Sequence, residues 1–245
     1  MKLLGFGDSS PKTIGADEHG IESAIMYLAP ANESGNQVCA SSTAGCRKVC
    51  LYGQGRGRMT KVQEARIRKT RLFFDEQEQF LSDLTSDIAS VERRALKKFF
   101  QPVVRLNGTS DIRWERHGII QQFPNVQFYD YTKHKNRRGI PENYHLTFSY
   151  SEETTLDDVD TALNHGMNIA AVFRHELPDT WHGLPVIDGT LTDWRFRDPR
   201  PCIVGLNAKG SAKQDSSGFV LDIEPLGGRA LRPAPATYPK YERFF

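Results

Sequence analysis

Short apolar runs and one long amphipathic stretch dominate the hydrophobic pattern of the chain. Between residues 59 and 100, apolar side chains recur every three or four positions, the period of one helix face. Elsewhere, mostly apolar runs alternate with polar loops or helical pieces, which predicts βα units around a mainly parallel sheet. The predicted strands are GIESAIMYLAPA (20–31), VVRLNG (103–108), VQFYDYT (126–132), YHLTFSY (144–150), NIAAVFR (168–174), PVIDGT (185–190), CIVGLNA (202–208) and FVLDI (219–223).

The number of predicted strands suggests a fold class. Seven or eight strands in 245 residues suit an α/β fold of the partial or full TIM-like (β/α) barrel kind, with a doubly wound open sheet as the alternative. We expect residues 1–223 to form a single barrel-like domain with a cysteine loop at 38–58. Residues 224–245, rich in proline and aromatics, are expected to form an extended C-terminal arm.

Local signals mark several element boundaries. Asp75 is a candidate break between two helices in the amphipathic stretch, and Thr155 with Asp158 matches a capping box. After the strand at 103–108, the segment SDIRWERHGIIQQF is expected to be helical, with Ser110 or Asp111 as its N-cap.

Charge and hydropathy exclude some function classes. The chain has 32 Lys and Arg against 30 Asp and Glu, so its net charge of +2 does not by itself predict a nucleic-acid-binding protein. Basic residues cluster locally in RGRMTKVQEARIRKTR (56–71) and KHKNRR (133–138). No apolar run approaches the ~20 residues that cross a bilayer, and the first residues lack the apolar core of a signal peptide. We therefore expect a cytoplasmic protein with no membrane partner.

Polar residues are dense at the ends of the predicted strands. Since parallel strands end at one edge of a sheet, these residues and the cysteine loop are expected to share one ligand-binding rim. Asp111, Asp130 and Lys133 are candidate catalytic residues, although ion pairs with neighbouring charges account for the aspartates equally well. The candidate cofactor-binding residues are Asn107, Gly108, Thr109, Ser110, Ser149, Asp188, Asn207 and Lys209.

Three of the four cysteines, Cys39, Cys46 and Cys50, lie within twelve residues. A reducing cytoplasm favours metal ligation over a disulfide for such a cluster. Zinc sites favour two short-spaced ligand pairs, and no second pair is present. Three thiolates on one loop instead suit a [4Fe–4S] cluster with one open iron, whereas zinc and ordinary thiols remain alternatives. Cys202 begins an apolar strand and is expected to be a buried core thiol.

Seven segments carry a family resemblance: VCASSTAGCRKVCL, VRLNGTSDI, VQFYDYTK, YHLTFSYSE, AVFR, PVIDGT and IVGLNAKG. They occur in the family's order, and the match as a whole runs from about residue 24 to residue 220. In this the chain resembles an uncharacterised family of tailed-bacteriophage proteins designated by a numbered gene product. More distantly, it is similar to radical S-adenosylmethionine (SAM) enzymes, in which a partial (β/α)₆ barrel carries a three-cysteine loop after its first strand.

The resemblance implies a function for the cysteine loop. Cys39, Cys46 and Cys50 would ligate a [4Fe–4S] cluster, and its open iron would bind SAM. Reductive cleavage of SAM would then yield a radical that abstracts hydrogen from a substrate. An electron donor and the cytoplasm of an infected bacterial cell are implied as well. The cysteine gaps are six and three residues, whereas radical SAM enzymes usually show CxxxCxxC.

Three functional hypotheses follow. The first is a radical-SAM-like enzyme acting on a nucleotide, a nucleic acid or a protein. The second is an iron–sulfur redox carrier, sensor or host-interaction protein without SAM chemistry. The third is a zinc-stabilised nucleic-acid-binding protein that uses the basic segments 56–71 and 133–138.

Overall fold

The structure is a computed structural model that describes residues 1–7, 13 and 15–223, so the predicted arm at 224–245 lies outside the described residues. The strands are β1 (Leu4–Phe6), β2 (Ile21–Met26), β3 (Gln101–Arg105), β4 (Gln127–Thr132), β5 (Tyr144–Ser149), β6 (Asn168–Phe173), β7 (Thr180–Trp181), β8 (Leu184–Asp188), β9 (Ile203–Asn207) and β10 (Val220–Leu221). The α-helices are α1 (Ala44–Lys48), α2 (Thr60–Asp75), α3 (Gln77–Lys98) and α4 (Leu156–Asn164).

One largely parallel sheet organises the described chain. Its strand order is β1-β2-β3-β4-β5-β6-β9-β8-β7, and β10 pairs with the end of β6. The antiparallel pairs are β1 with β2 and β7 with β8, at the two edges. The predicted α/β class and parallel sheet are confirmed. Within the described residues the sheet is not closed, so the barrel part of the prediction is not confirmed.

Helices cover one face of this sheet with apolar side chains. Because successive strand residues point to opposite faces, Val104, Phe128 and Ile169 share the face that packs against the helices. The predicted apolar stripe is the buried side of α3, formed by Phe80, Leu84, Ile88, Val91 and Ala95. The helix break is also where the sequence placed it, since α2 ends at Asp75. None of the described helices is both long and apolar enough to cross a membrane.

Two predicted helix starts had different outcomes. The capping box is confirmed, because the Thr155 side chain accepts from the Asp158 backbone N–H and the Asp158 side chain accepts from the Thr155 N–H. The helix predicted after β3 is wrong, and short 3₁₀ turns at Trp114–His117 and Ile120–Gln122 stand in its place. The cause is Asn107, whose side-chain oxygen accepts hydrogen bonds from Ser110 Oγ, Ile112 N and Trp114 Nε1, fixing an irregular loop.

The opposite face of the sheet is buried under a polar segment. Residues 190–200, which follow β8, contact β4 and β5 through the 3₁₀ turn Arg195–Arg197. Within this layer the Asp193 carboxylate lies 2.9 Å from Arg105 Nη1 and accepts from Tyr129 OH at 3.0 Å. Arg195 is also buried and pairs with Asp198 at 3.3 Å. Charged groups in this layer therefore replace part of an apolar core.

We predict that His145 makes stability depend on pH. Its ring is buried, and burial together with the neighbouring Arg200 and Arg195 lowers its pKa from 6.5 to about 3. The unfolded state therefore takes up a proton first, and stability is lost as pH falls from about 6.5 towards 3 by up to about 1.4 kcal/mol per pH unit. Denaturant melts of wild type and His145→Gln at several pH values measure this. Equal pH slopes for the two proteins below pH 6 would contradict the prediction.

Candidate functional site

The cysteine loop connects β2 to α2 and opens at the carboxyl edge of the sheet. Cys39 lies in its first part, Cys46 is inside the short helix α1, and Cys50 follows that helix. Thr43 caps α1, since its Oγ1 accepts from the Cys46 N–H at 3.2 Å. The loop is thus a folded unit that holds Cys46 on a short helix and Cys50 two residues beyond the end of that helix.

Glu152, from the loop after β5, anchors this helix to the sheet edge. One carboxylate oxygen accepts from Thr43 Oγ1 at 2.8 Å, and the other accepts from the Gly45 N–H at 2.6 Å. A Cβ at Gly45 would lie 2.2 Å from Ser217 Oγ and 2.8 Å from the Glu152 carboxylate, so the contact requires glycine there. The predicted convergence of strand-end loops is therefore present at this point.

We predict that Glu152→Ala loosens the cysteine loop. The substitution removes two hydrogen bonds to a charged acceptor, each worth about 1.5–3 kcal/mol, while the sheet retains its own pairing. Hydrogen exchange should show faster exchange of amides in residues 43–50, with the β4 and β5 amides unchanged. Glu153→Ala, at the adjacent position, is the matched control. Equal protection of residues 43–50 in both variants would show that Glu152 does not anchor the loop.

The three cysteines are free thiols in the structure, partly buried and close enough to interact electrostatically. Burial raises the pKa of Cys39 to about 12, and the charges of Cys50, Asp111 and Cys46 add to the rise. Burial likewise raises the pKa of Cys46 and of Cys50. The raised pKa values favour the protonated thiols. A bound metal cation would favour the thiolates instead, because cysteine binds metals as a thiolate. Among the described side chains, no group of three or more His, Cys, Asp or Glu is arranged to hold a metal ion.

The loop after β3 packs directly against the cysteine loop. Cys39 Sγ lies 3.6 Å from the Thr109 carbonyl, and Thr109 Oγ1 donates to the Leu28 carbonyl at 2.6 Å. Gly108 sits on the Tyr27 ring, where an added Cβ would be 2.5 Å from the nearest ring atom. Four of the predicted cofactor-binding positions, residues 107–110, therefore adjoin the first thiol.

Asp111 and Lys133 meet at this edge, as the sequence predicted for strand-end residues. The Asp111 carboxylate accepts from the Lys133 backbone N–H at 2.8 Å through Oδ2, while its buried Oδ1 has no hydrogen-bond partner among the described residues. Only 10% of the Asp111 side chain is exposed. Lys133 Nζ donates to the carbonyl and the hydroxyl of Ser149, both at 3.1 Å. Burial lowers the Lys133 pKa, which the charges of Cys46 and Asp111 oppose.

A polar cavity of about 270 Å³ opens beside this cluster. Its lining joins the cysteine loop to the ends of β4 and β5. The lining residues are Ser41, Thr43, Lys133, His134, Lys135, Asn136, Phe148, Ser149, Ser151, Glu153, Thr154 and Asp158. Such a polar cleft next to the thiols is large enough for part of a small polar ligand.

Asp130 lies under this rim and not in the cavity lining. Its carboxylate accepts from the Asn107 N–H at 2.7 Å, from Asn107 Nδ2 at 3.3 Å and from Tyr144 OH at 2.8 Å. The side chain is fully buried, and burial raises its pKa to about 7. These contacts position the 107–111 loop. A catalytic role for Asp130 stays a prediction.

The remaining predicted cofactor-binding residues lie apart from Asp111 and Lys133. Asp188 accepts from the Thr190 N–H at 2.8 Å and from its hydroxyl at 2.6 Å, so it stabilises its own turn. Asn207 and Lys209 are exposed and follow β9. The structure brings residues 107–111, Lys133 and Ser149 together with the thiols. Cofactor-binding roles for Asp188, Asn207 and Lys209 stay predictions.

Sequence reasoning missed Arg66, which lies beside Cys50. Arg66 is buried on α2, with its guanidinium 4.6 Å from the Tyr27 ring centre and 5.6 Å from that of Tyr52. Its Nε and Nη1 atoms are buried and have no hydrogen-bond partner in the part of the chain that the structure describes. Helical spacing puts position 66 on the same face as Thr70 and Phe73, which are buried, and that signal was available in the sequence.

The fold and the site define an α/β protein with a largely parallel sheet and a three-cysteine loop at its carboxyl edge. The chain belongs to the phage family described as Gene product 88, whose family model matches residues 3–223. The resemblance to a numbered phage gene-product family is thereby confirmed. No curated protein and no solved structure matches the chain. The more distant likeness to radical SAM enzymes is not shown by these comparisons.

Proposed function

We propose that this protein is a phage iron–sulfur protein and that it acts as a radical-SAM-like enzyme in the host bacterial cytoplasm. The observation that supports this proposal most strongly is the position of Cys39, Cys46 and Cys50 on one loop at the carboxyl edge of the parallel sheet. The three thiols are near enough for their charges to interact. In parallel α/β folds this edge is where ligands bind. An open sheet with parallel strands in nearly sequential order is compatible with a partial barrel.

The donor set at the loop fits a [4Fe–4S] cluster held by three thiolates. Such a site gathers negative charge in a partly buried place, and two cationic side chains lie beside it. Lys133 interacts with Cys46 and Arg66 interacts with Cys50. Two of the Arg66 nitrogens have no hydrogen-bond partner within the described residues. Because the sulfur atoms are not arranged as a metal site, we expect cluster assembly to draw the three side chains together.

The residues around the loop have complementary roles in this proposal. When bound, a [4Fe–4S] cluster with an open iron supplies one electron to SAM. Asp111 Oδ1, which is buried and has no hydrogen-bond partner in the described chain, is an acceptor for an ammonium group, and the backbone of residues 107–110 lies next to Cys39. Glu152 keeps α1 in place, and Lys133 neutralises charge near Cys46.

Anaerobic incubation of the iron-loaded protein with SAM and dithionite tests the enzymatic part of this proposal. Formation of 5′-deoxyadenosine above a protein-free control is the expected result. Asp111→Asn should reduce its formation by at least about tenfold while leaving the iron content unchanged, since one ammonium contact to a buried carboxylate is worth about 1.5–3 kcal/mol. An iron-loaded protein that never cleaves SAM would instead be a redox carrier, a sensor or a host-interaction protein.

A further inference from the structure

We propose that the cysteine loop and the segment after β9 form one basic face that binds the phosphate backbone of a nucleic acid. Residues 41–63 and 207–219 together contain seven Lys and Arg residues and one acidic residue. All seven are exposed: Arg47, Lys48, Arg56, Arg58, Lys61, Lys209 and Lys213. These two segments therefore carry a net charge of +6 in a chain of net charge +2, so the rest of the chain carries −4.

Direct contacts join the two segments, although more than 140 residues separate them in sequence. Gln54 Nε2 donates to Ser211 Oγ at 2.6 Å. Gly45 packs so closely that an added Cβ would lie 2.8 Å from the Phe219 side chain. An apolar cluster underneath unites Val49 with Ala208, Ala212, Val220, Val172 and Phe219. The cations of both segments thus belong to one folded surface.

Asp215 is the acidic residue in these segments, and its buried carboxylate does not offset the positive charge of the face. It is 3% exposed, and its carboxylate accepts from Ser217 Oγ at 2.8 Å and from the Val220 N–H at 3.1 Å. Its carboxylate is therefore occupied within its own turn. Arg174 donates to the carbonyls of Lys213 and Asp215, which fixes the backbone that presents the Lys213 side chain.

A polyanion fits this face better than an acidic protein does. Protein interfaces bury an apolar core in which charged residues are depleted. Here two large apolar side chains, Leu51 and Met59, are exposed among seven cations, so charge predominates. A nucleic-acid backbone offers regularly spaced negative charges to such a surface, and its binding weakens steeply with salt.

The same face includes the loop that carries the thiols. A strand held by Arg47, Lys48 and Lys213 would run beside Cys46 and Cys50. This makes a nucleic acid the substrate class of the enzyme, and in that respect the inference rests on the proposed function. Binding itself does not need the cluster and can be measured alone.

Fluorescence anisotropy with the full chain tests the binding. The labelled probes are single-stranded DNA, single-stranded RNA and duplex DNA of about 30 nucleotides, and each is titrated at salt concentrations from about 50 to about 200 mM. The variant is Lys61→Gln/Lys213→Gln, with one cation from each segment. The control is Arg93→Gln/Lys97→Gln on α3, which loses the same charge elsewhere. The variant should bind about tenfold more weakly near 100 mM salt, with a salt slope smaller by about 1.4–1.8. The control should change affinity less than about twofold.

Two outcomes would overturn the basic face as a nucleic-acid site. One is an equal salt slope in variant and control. The other is competition by polyglutamate as strong as by unlabelled strand at the same salt, which would mean that the face binds any polyanion. Iron content is measured in parallel, so the two proposals fail separately. If the iron content is that expected of a cluster but the variant has the same salt slope as the control, only the nucleic-acid site is rejected. If an iron-free protein binds nucleic acid with a steep salt dependence, only the proposed function is rejected.

Discussion

Cys46→Ala should retain almost no iron after anaerobic reconstitution. Cys46 lies in α1 between the other two thiols in sequence and interacts electrostatically with both. Two remaining cysteines on one loop cannot hold three irons of a [4Fe–4S] cluster. Colorimetric iron and sulfide analysis with the visible absorption spectrum measures the loss, and circular dichroism checks that the variant is folded.

Cys202→Ala is the matched control because it removes the fourth thiol of the chain. Cys202 is fully buried directly before β9, in an apolar cluster with Ala170 and Val204. The control should keep wild-type iron while losing stability through a small cavity, by about 1–2 kcal/mol. Loss of iron in this variant would mean that Cys202 is a fourth ligand, and the open iron would then be excluded.

Asp193→Ala should be the most destabilising single substitution on the polar face of the sheet. Asp193 pairs with the buried Arg105 and accepts from Tyr129 OH, so its removal leaves a buried guanidinium and a buried hydroxyl without this acceptor. Breaking one partner of a buried pair costs about 3–5 kcal/mol. Urea melts followed by circular dichroism measure the change in the free energy of unfolding.

Asp17→Ala supplies the comparison for Asp193→Ala. Asp17 pairs with Lys98 at 3.2 Å, but its side chain is 68% exposed. Exposed pairs contribute about 0–1 kcal/mol, so this variant should melt close to wild type. Similar melting of both variants would show that the Arg105–Asp193 pair is solvated in solution, and the polar layer of residues 190–200 would not be a packed part of the fold.

Periodicity predicted much of the fold. The strands from β2 to β6, the helix break at Asp75 and the capping box at Thr155 all follow from local signals. The order of the strands in the sheet could not be predicted in the same way. β9 lies between β6 and β8, so the last strands are not in sequence order, and no local sequence signal marks this change. The 3₁₀ turns after β3 were missed because Asn107, a single side chain, competes with the helix by bonding three groups of its loop.

Part of the candidate site could be predicted because the ends of parallel strands share one edge of the sheet. Residues that end neighbouring parallel strands must meet, which is why the sequence could predict that Asp111, Lys133 and Ser149 lie close together. Contacts between sequence-distant loops carry no periodic signal, and the anchoring of α1 by Glu152 and the joining of Gln54 to Ser211 depend on such contacts. Tertiary packing alone defines those parts of the site.

The metal content of the wild-type protein is the most direct test of the proposed centre. The chain is purified without oxygen, and iron, acid-labile sulfide and zinc are quantified per chain. We predict about four irons and four sulfides per chain, with brown colour and little zinc, as a [4Fe–4S] cluster requires. A colourless, iron-free protein with one zinc per chain would contradict the iron–sulfur assignment and with it the proposed SAM chemistry.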